Sequence, residues 1–188
     1  LKTGNLSPDG RRPGQKAIIV SGPAGSGKTT TALRVARDGG WRVVSEDEFW
    51  VEIKRGRPEG EMRTPDEEIV VQRKTLEKAL AAFAEGDNVV LEFILYQNPP
   101  TPIIFYRDEL EKRGVTVYIR LLKPSEDCIW KRKQVRGRPW DRDEQAQRAY
   151  AKQQLSCLES EYIRKEWVID NSADGIDAVF ERYFRDLL

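Results

Sequence analysis

The sequence predicts an α/β fold in which one parallel sheet carries helices on both faces. Three observations carry that expectation. Apolar, β-branched runs alternate with longer stretches of helical character, an order that builds parallel strands joined by right-handed crossovers. One run, residues 88–95, is apolar almost throughout, as a strand covered on both faces must be. The chain has 188 residues, enough for one domain with a single core that needs neither disulfides nor metals.

Residues 1–15 are rich in Gly, Pro, Asn and Arg without periodicity and read as a flexible N-terminal arm, so the domain is expected over 16–188. The first apolar run, Ala17-Ile18-Ile19-Val20, leads into Gly22-Pro23-Ala24-Gly25-Ser26-Gly27-Lys28-Thr29, and residues 30–38 are helix-forming. Strand, glycine-rich loop and helix, with Lys-Thr at the right offset, satisfy the P-loop pattern. The glycines let the backbone turn tightly, so that successive N–H groups of Gly22, Gly25, Ser26, Gly27, Lys28, Thr29 and Thr30 can face phosphate oxygens. The following helix adds its positive N-terminal dipole. Lys28 is expected to reach the β- and γ-phosphates and Thr29 to give its hydroxyl to Mg²⁺. The expected ligand is a nucleoside triphosphate, ATP with Mg²⁺.

Gly39-Gly40 ends the helix, and residues 41–45 read as a second strand running into Glu46-Asp47-Glu48. Ligands of open α/β sheets gather at the carboxyl ends of strands, which makes Asp47 the first candidate for a catalytic base. Residues 52–63 read either as a mobile connection able to cover an acceptor site or as a solvated loop. Thr64-Pro65-Asp66-Glu67 supplies an N-cap, a proline at the first helical position and an acid at the third. The helix it opens runs to about residue 85, with Ile69, Leu76, Leu80 and Phe83 on its apolar side. Glu92 interrupts the run 88–95. Because an isolated buried carboxylate is costly, Glu92 is expected at the strand's end, facing a cation and near Mg²⁺; an exposed place on an edge strand is the plain alternative.

Residues 96–100 form a loop, Thr101-Pro102 opens another helix, and 115–122 is a β-branched strand. The helix beginning near Pro124 continues into Lys131-Arg132-Lys133-Gln134-Val135-Arg136-Gly137-Arg138-Pro139. A basic run is ordinarily a solvated helix face. In a P-loop protein its arginines can close over the triphosphate, neutralise charge in the transition state and exclude water. A lid is therefore expected over about 131–142, with Arg136 and Arg138 ahead of Arg132, and nucleic-acid contact or plain surface as alternatives. Residues 141–161 have helical character, Trp167-Val168-Ile169 is a fifth strand, and 174–188 closes the chain as a helix. Asp170-Asn171-Ser172 either lies beside the nucleotide base or is simply a turn.

Charged residues make up 34% and nearly cancel, for a net charge of +1, which neither demands nor excludes a polyanionic partner. Histidine is absent, and that excludes Ser-His-Asp and Cys-His mechanisms. The two cysteines, Cys128 and Cys157, lie far apart without metal-ligand spacing and read as reduced thiols. With no apolar run of membrane-spanning length and no signal-peptide profile, the expectation is a soluble cytoplasmic protein with no membrane partner.

On the P-loop, the acid after the second strand, the apolar strand bearing Glu92 and the Gly-Arg-Pro basic segment, the chain resembles the small P-loop kinases. These include the shikimate, gluconate, adenylylsulfate, chloramphenicol and polynucleotide 5'-hydroxyl kinases. The resemblance runs from about Lys16 to the C-terminus. It implies a P-loop kinase domain with a five-stranded sheet of order 2-3-1-4-5 and a lid, moving the γ-phosphoryl group of ATP to a hydroxyl-bearing acceptor. Residues 44–50 are similar to the segment whose Asp contacts the acceptor hydroxyl, which places that role on Asp47. Residues 128–139 are similar to the lid whose arginines flank the phosphates. Glu92 stands where many relatives carry Asp, so two roles are open to it: reaching Mg²⁺ through water, or orienting the acceptor. A small-molecule alcohol is the first acceptor class. The alternatives are a polynucleotide 5' end, with Trp50, Tyr96 and Trp140 as stacking or packing aromatics, and a nucleotide-dependent switch with no second substrate.

Overall fold

The structure, a computed structural model, describes residues 14–55 and 63–188. Five parallel strands form one sheet: β1 (Lys16–Gly22), β2 (Arg42–Ser45), β3 (Val89–Ile94), β4 (Thr116–Leu122) and β5 (Val168–Ile169). Their order is β2-β3-β1-β4-β5, the expected 2-3-1-4-5.

β1 lies in the middle, and its alternation explains why the run tolerates no polar residue. Ala17 and Ile19 point into a core shared with α3 (Pro65–Glu85) and α4 (Thr101–Glu111). Ile18 and Val20 point the other way, into a core with α1 (Lys28–Gly39) and α7 (Ile176–Tyr183). All four side chains are fully buried, and burial of each of Ile18, Ile19 and Val20 contributes about 1.5–3 kcal/mol.

At the start of α3, Thr64 and Glu67 form the expected capping box: Glu67 N donates to Thr64 Oγ1 (3.3 Å) and Thr64 N to Glu67 Oε2 (3.0 Å). The inward stripe of α3 begins at Val71 and continues through Thr75, Leu76, Ala79 and Phe83, so Ile69, expected on the apolar side, is exposed. A helix not expected from the sequence follows β2 directly: α2 (Glu46–Ile53), N-capped by Ser45, with Glu46, Asp47 and Glu48 in its first turn. Those acids favour the positive helix end, and the Ser45-to-Glu48 spacing was the available signal.

α5 (Glu126–Arg136) carries the basic run. The helical stretch expected at 141–161 is divided: a 3-10 turn at Pro139–Arg142, α6 (Glu144–Ser156) capped by Asp143, and a further 3-10 turn at Cys157–Glu159. Residues 1–13 of the expected arm, and 56–62 of the expected connection, lie outside the described residues. Gln15, assigned to the arm, is buried; its Nε2 donates to Phe83 O (2.6 Å) and its carbonyl accepts from Thr116 N (2.9 Å), which makes it part of the sheet's end. Cys128 and Cys157 are free thiols, and among the described residues no helix is long and apolar enough to cross a membrane.

Candidate functional site

The phosphate loop leaves β1 against the end of β4. Gly22 has a φ of 141°, and a Cβ there would stand 2.4 Å from Leu122 O, so glycine alone fits. α1 opens at Lys28 with Gly27 as a cap that offers no side-chain hydrogen bond, and its first turn carries no acid. At a helix start the first N–H groups, here those of Lys28, Thr29 and Thr30, have no intrahelical acceptor, an arrangement that suits an anion. Lys28 is buried, its Nζ donating to Pro23 O (2.9 Å). Burial pulls its ammonium down to about 8, opposed by Glu92 and Asp47 and reinforced by Arg136 and Lys133. The buried Ser26 hydroxyl has no partner among the described residues.

Register sets Val20, Glu92 and Ser45 side by side on β1, β3 and β2. Glu92 is 2% exposed on an interior strand, two residues inside its end, so neither the strand-end nor the exposed-edge expectation describes it. Two hydroxyls satisfy it: Thr29 Oγ1 donates to Oε1 (2.9 Å) and Ser45 Oγ to Oε2 (2.7 Å). A cation held by Thr29 would therefore stand next to Glu92. Among the described residues no cluster of three acidic or sulfur ligands is available for a metal, so Mg²⁺ would take most of its oxygens from phosphate and water, as its chemistry allows.

Asp47 sits in the first turn of α2, exposed; its backbone N donates to Ser45 Oγ (3.3 Å), and its carboxylate has no hydrogen-bond or ion-pair partner among the described residues. From α5, Arg132 donates to Ser26 O (2.9 Å) and Asn171 O (2.8 Å), while Asn171 Nδ2 donates to the same Ser26 O (2.9 Å). Arg136 forms a two-pronged pair with the buried Asp141, Nη2 to Oδ1 at 2.8 Å and Nε to Oδ2 at 3.0 Å. A cleft of about 630 Å³ brings together Lys28, Thr29, Asp47, Glu92, Arg132, Arg136 and Arg138. Gly25, Gly27 and Thr30 also line it. Gly22 and Ser26 lie beneath, against Leu122 O and under Arg132.

The family model for an AAA domain, AAA_33, matches residues 18–160, well over half of the chain. The chain belongs to that family. The AAA_33 chain is similar in structure to a sugar kinase from Janibacter sp. HTCC2649, with 22% identity over 89% of this chain and 91% of that one and a TM-score of 0.66. It is similar to a gluconokinase from Sinorhizobium meliloti 1021 (20%, 90% and 90%, 0.60) and to a shikimate kinase from Acinetobacter baumannii in complex with shikimate (17%, 92% and 93%, 0.58). At these identities the likeness is one of fold, that of the small P-loop kinases. No curated protein matches the sequence.

Sequence reasoning missed several groups that surround this AAA_33 cleft. Lys133 of α5 is buried; its stem would lie 3.3 Å from a Cβ on Gly25, and its Nζ donates to Gln147 Oε1 (2.8 Å). Gln154, two helical turns along α6 from Gln147, accepts from Ala24 N of the phosphate loop (2.8 Å). Glu46 is 3% exposed and accepts from Tyr106 OH (2.6 Å). Burial lifts its carboxyl to about 7, with Tyr106, Arg63 and Trp50 pulling it back. The Arg63 guanidinium lies over Trp50 (4.1 Å) and Tyr96 (5.0 Å). Had α2 been recognised, the i,i+4 pair Glu46 and Trp50 would have marked its buried face.

Proposed function

We propose that this protein is an ATP-dependent kinase that moves the γ-phosphoryl group of ATP to a hydroxyl of a small-molecule acceptor. The observation that carries this reading is Asp47: an unattached carboxylate, among the described residues, lining the same cleft as the phosphate-loop lysine and threonine. A carboxylate so placed can orient an attacking hydroxyl and receive its proton. Lys28 and the open amides of α1 hold the phosphates, and Arg136 and Arg138 face the charge that develops on the transferred group. Thr29, with Glu92 beside it, would hold Mg²⁺, which when bound would supply charge neutralisation. Arg132 bonds the base of the lid segment to the carbonyl of Ser26 in the phosphate loop. A cytoplasmic location is proposed on the two free thiols, Cys128 and Cys157.

A small acceptor is favoured over a polynucleotide because the basic segment uses many of its hydrogen-bond donors within the protein. Arg132 is bonded to backbone, Lys133 to Gln147 and Arg136 to Asp141. Trp50, one of the stacking candidates, is 4% exposed beneath Arg63; the side chain of Trp140 lies outside the described part. The test is ADP release from Mg·ATP with and without alcohols, sugars, nucleosides, antibiotics and 5'-hydroxyl oligonucleotides. A small hydroxylated compound should raise it at least about tenfold above water, with little dependence on salt. A rise only with oligonucleotides, falling steeply with salt, moves the acceptor class. A rise only with a protein partner refutes the kinase reading.

A further inference from the structure

Three consecutive residues at the start of α2 have three different fates. Ser45 is tied to Glu92, which also holds Thr29. Glu46 is tied to Tyr106 of α4. Asp47, the next residue, is left unattached among the described residues and lines the cleft. Tyr106 is itself packed on both sides: fully buried, with ring centroids 5.3 Å from both Phe93 of β3 and Phe105.

A buried carboxyl is an expensive way to dock a helix, since an apolar side chain of similar size packs without desolvating a charge. Glu46 therefore calls for a reason beyond packing. Anchoring the residues on the N-terminal side of a reacting group is how a site is held to the narrow geometry that transfer requires. Building on the kinase reading above, we propose that Glu46 is a positioning residue for phosphoryl transfer: its carboxyl, held by Tyr106 and facing Arg63, fixes the first turn of α2 so that Asp47 meets the acceptor hydroxyl.

The groups facing Glu46 come from every element packed on it. Tyr106 comes from α4 with Thr75 of α3 behind it, Trp50 and Asp47 from α2, and Arg63 from the segment ahead of α3, beside Tyr96. Burial is the largest influence and lifts the carboxyl to about 7. As pH falls through 7 it takes up a proton and loses the charge that Tyr106, Trp50 and Arg63 surround, so the way it holds the turn changes even as the folded state gains stability.

The experiment uses the full chain with Mg·ATP and water as the acceptor. ADP release against pH is measured for wild type, Asp47→Asn, Glu46→Gln, Tyr106→Phe and the Glu46→Gln/Asp47→Asn double variant, with ATP affinity by calorimetry and the thermal midpoint at pH 8. Glu46→Gln and Tyr106→Phe should each lower kcat about tenfold while ATP affinity stays within about twofold. The wild-type acid limb near pH 7 should vanish in Glu46→Gln, and the double variant should be no slower than Asp47→Asn alone. The Glu46→Gln midpoint should not fall, because a buried charge has been removed. Wild-type kcat in both Glu46→Gln and Tyr106→Phe alongside a slow Asp47→Asn overturns the inference and leaves the kinase reading standing. So does a fall in kcat that tracks a fall in midpoint, or full additivity in the double variant. Wild-type turnover in Asp47→Asn removes the base itself, and with it both claims.

Discussion

The phosphate side and the acceptor side of the cleft are built by opposite means. On the phosphate side one short stretch, Gly22 to Thr29, supplies most of the groups, and it ends in a helix start whose cap makes no side-chain hydrogen bond. On the acceptor side Glu46, Arg63, Tyr96 and Tyr106 come from separate parts of the chain and hold one another, leaving Asp47 as the unattached group. Phosphate recognition is thus a local property that travels with a motif. On the proposed reading, acceptor recognition would instead depend on tertiary packing behind Asp47, and it could change while the motif stays the same.

The contrast predicts effects of decreasing size. Lys28→Ala strikes the phosphate side directly and should lower turnover about a thousandfold in an ADP-release assay; more than a tenth of wild-type activity would mean that the loop amides alone suffice. Asp47→Asn should lower kcat about a hundredfold while calorimetric ATP affinity holds, which separates the two sides cleanly. Arg136→Ala should lower kcat about tenfold and ATP affinity less; unchanged kcat returns the lid segment to solvated surface. Lys28, at about 8 in the free protein, is neutral above that pH, so ATP binding must take up a proton there. Affinity should then fall by up to about tenfold per pH unit above 8, and a flat profile to pH 10 contradicts this.

A further effect concerns stability. Glu46 is raised from 4.5 to about 7 on folding, so its contribution is full below pH 4.5 and is lost as pH rises through 7, amounting to at most about 3 kcal/mol. Glu46→Gln should flatten the pH dependence of the thermal midpoint between pH 5 and 8. An unchanged slope would assign that dependence to other groups.

What could be read in the sequence follows the same divide. β1, the phosphate loop and the α3 capping box depend on neighbours within a few residues, and each stands in the structure as expected. α2 was hidden because its eight residues follow β2 without a linker, so strand and helix patterns run together. Neither Glu46 nor Lys133 carries a local signal of burial, since acids and lysines are usually exposed; their burial comes from Tyr106, sixty positions away, and from packing on Gly25, more than a hundred positions away. Among the arginines, the sequence reading puts Arg136 and Arg138 ahead of Arg132. The bond to the phosphate loop belongs to Arg132, whose place on α5 faces Ser26 and Asn171.

The most direct test follows the γ-phosphoryl group itself by ³¹P NMR in a mixture of protein, Mg·ATP and small hydroxylated acceptors. The account predicts a phosphomonoester resonance that grows in step with ADP and is lost in Asp47→Asn. Inorganic phosphate as the sole product with every acceptor would contradict it.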